Sequence, residues 1–129
     1  MTELNASPQF EQKRVTIDED HLGRMTLGDR SLEREVLEIF ARQTTLTLRR
    51  IAGAKRACTA AAAHTLKGSA RGIGAWRVAE AAEKLEQAAA GDADEQALRA
   101  AIAALEAASQ EARAAIGVRL GGGDQSAAA

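Results

Sequence analysis

His64 is followed by Lys67, Gly68 and Arg71 in the run His64-Thr65-Leu66-Lys67-Gly68-Ser69-Ala70-Arg71, and these residue types at this spacing are equipped for chemistry. At about 100° per residue, Ala60, Ala61, Lys67, Gly68 and Arg71 all fall within about 60° of His64 on a helix. One face therefore carries an imidazole, two cations and little side-chain bulk. A neutral imidazole is a nucleophile. If a phosphoryl group is transferred to it, Lys67 and Arg71 reach the new anion and stabilise it, and the small neighbours admit a bulky donor. Gly68, one turn beyond the ring, costs a helix about 1 kcal/mol relative to alanine, which implies close approach to the backbone there. The rival reading is an ordinary histidine on a solvated face with a solubilising lysine, and a lone His-x-x-Lys pair does not separate the two.

The element that must position these residues has an opposite face of Ala62, Ala63, Leu66, Ala70 and Ile73, which packs against a core while His64 points away from it. The rest of the composition supports an all-α chain. With 129 residues it is long enough for one domain with a core and no disulfides, and its one proline is Pro8. The single Cys58 is expected as a small buried apolar residue. The net charge of -1 and aromatic content of 2% supply neither a basic surface nor stacking platforms, so no nucleic-acid partner is expected. No apolar run is long enough for a signal peptide or a membrane span, so the expectation is no membrane and a cytoplasmic location.

In order, residues 1–15 show no sustained period and are expected to be disordered. Thr16 and Glu19 have capping-box spacing and predict a short helix to about Met25, with His21 in it as a structural histidine. Gly28-Asp29 breaks and recaps the chain. A long helix follows whose buried stripe is expected at Leu32, Val36, Ile39, Phe40, Gln43, Thr47 and Arg50, broadened by Leu37, Thr44, Leu48 and Ile51. Exposure of some of these for a partner is the alternative. Gly53 turns the chain into the His64 helix, and Gly74 is a sufficient C-cap for it. The next helix, to about Ala90, turns Val78, Ala82, Leu85 and Ala89 inward, with Trp76 packed over the bundle end. Asp92 and Glu95 cap a last helix carrying Leu98, Ile102, Leu105, Ala108, Ala112 and Ile116. Gly117 and Gly121-Gly122-Gly123 are expected to end it, leaving residues 117–129 as a flexible tail. Short connections predict an antiparallel up-down-up-down four-helix bundle over residues 16–116, with the short first helix over one end.

His64-x-Leu66-Lys67-Gly68-Ser69-Ala70, followed by Gly74, Val78 and Leu85-Glu86, resembles the histidine-containing phosphotransfer (HPt) domain family of bacterial two-component phosphorelays. The motif covers residues 63–86. The resemblance implies the same bundle and a phosphoprotein in which His64 accepts a phosphoryl group from a receiver-domain aspartyl phosphate and passes it to another receiver. Lys67 would stabilise the phosphoryl oxygens and Gly68 would let the receiver approach. Arg71 stands where the family pattern is loose, and either supports the site electrostatically or only solubilises the face. The expected partners are response-regulator receiver domains, of a hybrid histidine kinase and of a downstream regulator, acting on a monomer. No cofactor is intrinsic. The sequence has no metal-ligand spacing, so Mg²⁺ is expected from the receiver, and without a nucleotide loop no ATP-dependent kinase activity is expected. A helical adaptor that binds a receiver or kinase without carrying phosphate is the alternative.

Overall fold

In the computed structural model, which describes residues 16–128, five helices and no strand are present among the described residues. They are α1 (Glu19–Met25), α2 (Arg30–Ile51), α3 (Arg56–Ile73), α4 (Trp76–Ala90) and α5 (Glu95–Ala128). The expectation for residues 1–15 lies outside the described residues. The helices α2 and α4 each pack against both α3 and α5, while α1 packs against α3. Phe40, Leu37, Leu66, Leu85, Leu105 and Ile116 are fully buried where these surfaces meet.

Local signals start several helices where the sequence places them. The Asp29 carboxylate accepts the Leu32 amide at 3.1 Å and caps α2. Gly74 ends α3 in the left-handed region at φ 84°, with the Ala75 amide donating to the Ala70 carbonyl at 2.8 Å. Gly74 does more than cap. A Cβ there would stand 2.9 Å from Asp18 Cβ and 3.3 Å from His21 Cβ, so the glycine also seats the chain leading into α1.

Four expectations are corrected by the structure. The cap of α1 is Asp18, not Thr16: Asp18 Oδ1 accepts the His21 amide at 3.1 Å, Oδ2 accepts Trp76 Nε1 at 2.9 Å, and the Asp18 amide donates to the Gly74 carbonyl at 2.9 Å. The cap of α5 is Asp94, not Asp92, with Asp94 Oδ1 accepting the Ala97 amide at 2.7 Å. The buried face of α2 is Leu37, Phe40, Thr44, Thr47 and Ile51, all within the expected face, but that face is narrower than expected and leaves Leu32, Ile39 and Arg50 exposed. Thr44 tolerates burial because its hydroxyl donates to the Ala41 carbonyl at 2.8 Å and accepts Arg113 Nη1 at 3.1 Å. Cys58 is exposed, because the inward positions of α3 are Thr59, Ala62, Ala63, Leu66 and Ala70.

Further along, α5 does not stop at Gly117. It continues to Ala128. A glycine inside a helix costs only about 1 kcal/mol, and here tertiary contacts oppose that cost. Leu120 packs against the core, and the Arg119 guanidinium binds the carboxylates of Glu19 in α1 and Glu33 in α2. The helix therefore runs past residue 117, where the tail is expected to begin.

The Asp18 anchor has a measurable acid limit. Burial pushes its carboxyl up, but the bonds from Trp76 and the His21 amide, with the charges of His21 and Arg24, outweigh this and leave its pKa below the ordinary value. A lowered folded-state pKa gives stability that is complete above the unfolded value of about 3.9 and lost as pH falls through the folded value. Asp18→Ala should cost about 1–2 kcal/mol through the lost cap, change Trp76 fluorescence, and remove that part of the acid transition. Thermal melts of both proteins over a pH series check it.

Candidate functional site

The helical period of α3 sends Leu66 into the core and leaves His64 on the outside, its side chain 66% exposed. Its neighbour across the groove is Glu86 of α4, one position past the buried Leu85. His64 Nδ1 lies 2.8 Å from Glu86 Oε2, and Lys67 Nζ lies 2.8 Å from Glu86 Oε1. One carboxylate thus holds the His64 and Lys67 side chains of α3 together. The Lys67 hydrogen bond, reinforced by the bond and charge of His64 and opposed by burial, holds the Glu86 carboxyl below its ordinary pKa. An ionised carboxylate only accepts, so Nδ1 is the nitrogen that carries the proton in this contact. In the neutral ring Nε2 is then the bare nitrogen, on a side chain that is 66% exposed.

The other sequence-derived residues fall differently. A Cβ added at Gly68 would meet nothing within 4 Å, so the bundle itself does not require glycine there. Arg71 is drawn away from His64 to Glu83 Oε1 at 3.0 Å, leaving it a surface ion pair beside the site. His21 sits at the far end of α3: its Nε2 lies 3.2 Å from the Gly72 carbonyl and its ring meets Trp76 edge-on at 4.9 Å. Among the described residues, no group of three His, Cys, Asp or Glu is placed to hold a metal ion.

A family model described as the Hpt domain matches residues 31–115. The chain belongs to the Hpt domain family. Searches of curated proteins and of solved structures gave no match. Hpt domains carry out phosphotransfer in phosphorelays and work with response-regulator receiver domains. The matched span of this Hpt domain contains His64, Lys67, Gly68, Arg71 and Glu86, and leaves α1 outside. No helix among the described residues is long and apolar enough to cross a membrane.

Glu86 is the residue of this Hpt domain that reading α3 alone misses. Its signal in the sequence is an acid directly after an inward leucine, and that pattern does not say which neighbouring helix the acid faces. Gly68 gains a sharper expectation from the open space around it. Gly68→Ala should stabilise the Hpt domain by up to about 1 kcal/mol, whereas Gly68→Gln should keep the fold and obstruct a partner one turn from the ring. Melting temperature and transfer rate measured on both variants check this, and a destabilised fold with unimpaired transfer would contradict it.

Proposed function

We propose that this Hpt domain accepts a phosphoryl group on His64 from the aspartyl phosphate of one receiver domain and relays it to the aspartate of another. The observation that carries the proposal is the exposed ring whose Nδ1 is held by Glu86. The Nε2 lone pair attacks phosphorus, an N–P bond forms, and the acyl phosphate P–O bond breaks with its electron pair returning to the receiver's aspartate. The ring becomes cationic as Nε2 is phosphorylated with Nδ1–H in place. Glu86 beside Nδ1 offsets that charge, so no proton has to move during transfer. Lys67, already within a turn of the ring, provides a cation for the phosphoryl oxygens. Positioning does most of the work in such a reaction, because little covalent chemistry is left to the protein.

The helix order and short connections support an up-down-up-down four-helix bundle made by α2 to α5, with α1 across one end. Any Mg²⁺ in the reaction belongs to the receiver. The setting is a bacterial cytoplasmic two-component relay, with a hybrid histidine kinase and a downstream regulator providing the receivers. Incubating the chain with a panel of phosphorylated receivers tests the reading. An acid-labile, base-stable phosphoryl signal on the chain is expected, followed by its loss to a second unphosphorylated receiver. Stable binding to a receiver with no phosphate on the chain would instead make it an adaptor.

A further inference from the structure

The connection between α3 and α4 is the pair Gly74-Ala75, and the segment that opens α1 grips it at three points. The Asp18 amide donates to the Gly74 carbonyl at 2.9 Å, Trp76 Nε1 donates to Asp18 Oδ2 at 2.9 Å, and His21 Nε2 donates to the Gly72 carbonyl at 3.2 Å. These bonds take hold of the last turn of α3, the corner itself and the first residue of α4. From its other side α1 is tied to α5, through the Glu19 carboxylate and the Arg119 guanidinium.

The two helices that meet at this corner have shallow faces. Six of the ten buried residues on α3 and α4 are alanine: Ala62, Ala63 and Ala70 on one, Ala79, Ala82 and Ala89 on the other. Low ridges interlock weakly, so such faces resist a tilt or a slide less than faces of leucine and isoleucine do. The angle between α3 and α4 then depends on what fixes the corner. Counting back from Gly72 to His64 gives about 12 Å of helix, and counting forward from Trp76 to Glu86 gives about 15 Å. At that radius a swing of about 5° moves one helix past the other by ~1 Å, enough to part the 2.8 Å contacts that Glu86 makes with His64 Nδ1 and Lys67 Nζ. We propose that α1 is a clamp on the α3–α4 corner, with Asp18 as a positioning residue, and that it holds Glu86 in register with His64 and Lys67. Asp18 touches neither the ring nor an incoming phosphoryl group. Its effect arrives through the backbones of the two helices, as a fixed angle. The consequence for transfer rate rests on the proposed function; the alignment of the ring does not.

The test therefore reads the ring before the rate. Full-length chain labelled with nitrogen-15 histidine has two imidazoles, and His64→Gln assigns them. In the unaltered chain the His64 nitrogens should show a hydrogen-bonded Nδ1–H and a bare Nε2. Asp18→Ala should draw both resonances toward the averaged positions of a ring free to change tautomer, and should slow transfer from a phosphorylated receiver by about tenfold to a hundredfold, the loss that ~1 Å of misplacement brings. Asp18→Asn, whose amide oxygen still accepts from Trp76, should restore most of both. Arg119→Gln loosens α1 from the α5 side without touching the corner. It should move the ring in the same direction to a smaller extent, and it carries the test where Asp18→Ala does not fold. Lower stability by itself does not shift these resonances in the folded chain well below its melting temperature, which separates positioning from a merely structural role. His64 resonances unmoved in both Asp18→Ala and Arg119→Gln, with altered Trp76 fluorescence showing that α1 has let go, overturn the clamp. Moved resonances in a chain that takes no phosphate from any receiver would support the clamp and overturn the proposed function instead.

Discussion

His64→Gln should abolish phosphoryl acceptance while leaving the helical content and melting temperature of the chain unchanged. The two halves of this expectation have separate causes. Glutamine has no nitrogen lone pair available for attack, because its amide nitrogen is conjugated with the carbonyl, so no N–P bond can form. The fold is spared because the His64 side chain is 66% exposed and its one side-chain partner among the described residues is Glu86, to which a glutamine amide can still donate. Radiolabelled transfer from a phosphorylated receiver, beside a thermal melt, measures both. Transfer surviving in the variant would move the acceptor elsewhere. The remaining imidazole, His21, is half-buried and held against the Gly72 carbonyl and Trp76, a poor place for in-line attack.

Glu86→Ala should slow transfer through His64 by about tenfold to a hundredfold, the usual loss when an acceptor fixing the tautomer and orientation of an imidazole is removed. It releases two groups at once. The ring loses the acceptor at Nδ1, so the proton is free to sit on Nε2 and block the lone pair, and Lys67 loses the carboxylate that stations it beside the ring. Glu86→Gln should lose less. Its amide oxygen still accepts from Nδ1–H, so the tautomer is kept, while the negative charge that offsets the phosphorylated ring is gone. The lowered pKa of Glu86 means this charge is present above the ordinary carboxylate range and is lost only as pH falls through the lowered value. Nitrogen chemical shifts of His64 in the three proteins report the tautomer directly, alongside the transfer rates. A wild-type rate in Glu86→Ala would show that the ring needs no orienting partner.

What could be read from residue order alone was whatever depends on neighbours within a turn or two. The outward face of α3 that carries His64 is such a feature, because a period of 3.6 residues places Leu66 inside and His64 outside wherever the helix packs. The Asp29 cap and the left-handed Gly74 are others, each satisfied by amides a few residues away. Features that depend on how far one helix stands from another were not legible. Glu86 meets His64 across a separation of 22 positions in the chain, and Arg71 is taken from the site by Glu83 on the same neighbouring helix. The start of α1 moves to Asp18 because Trp76 and Gly74 hold it there, and the face that α2 buries is chosen by the helices that come against it. Gly117 looks like a stop when only propensity is counted. It is an interior residue of α5 because Arg119 and Leu120 find partners on α1, α2 and the core, and such contacts between distant segments outweigh a local preference of about 1 kcal/mol.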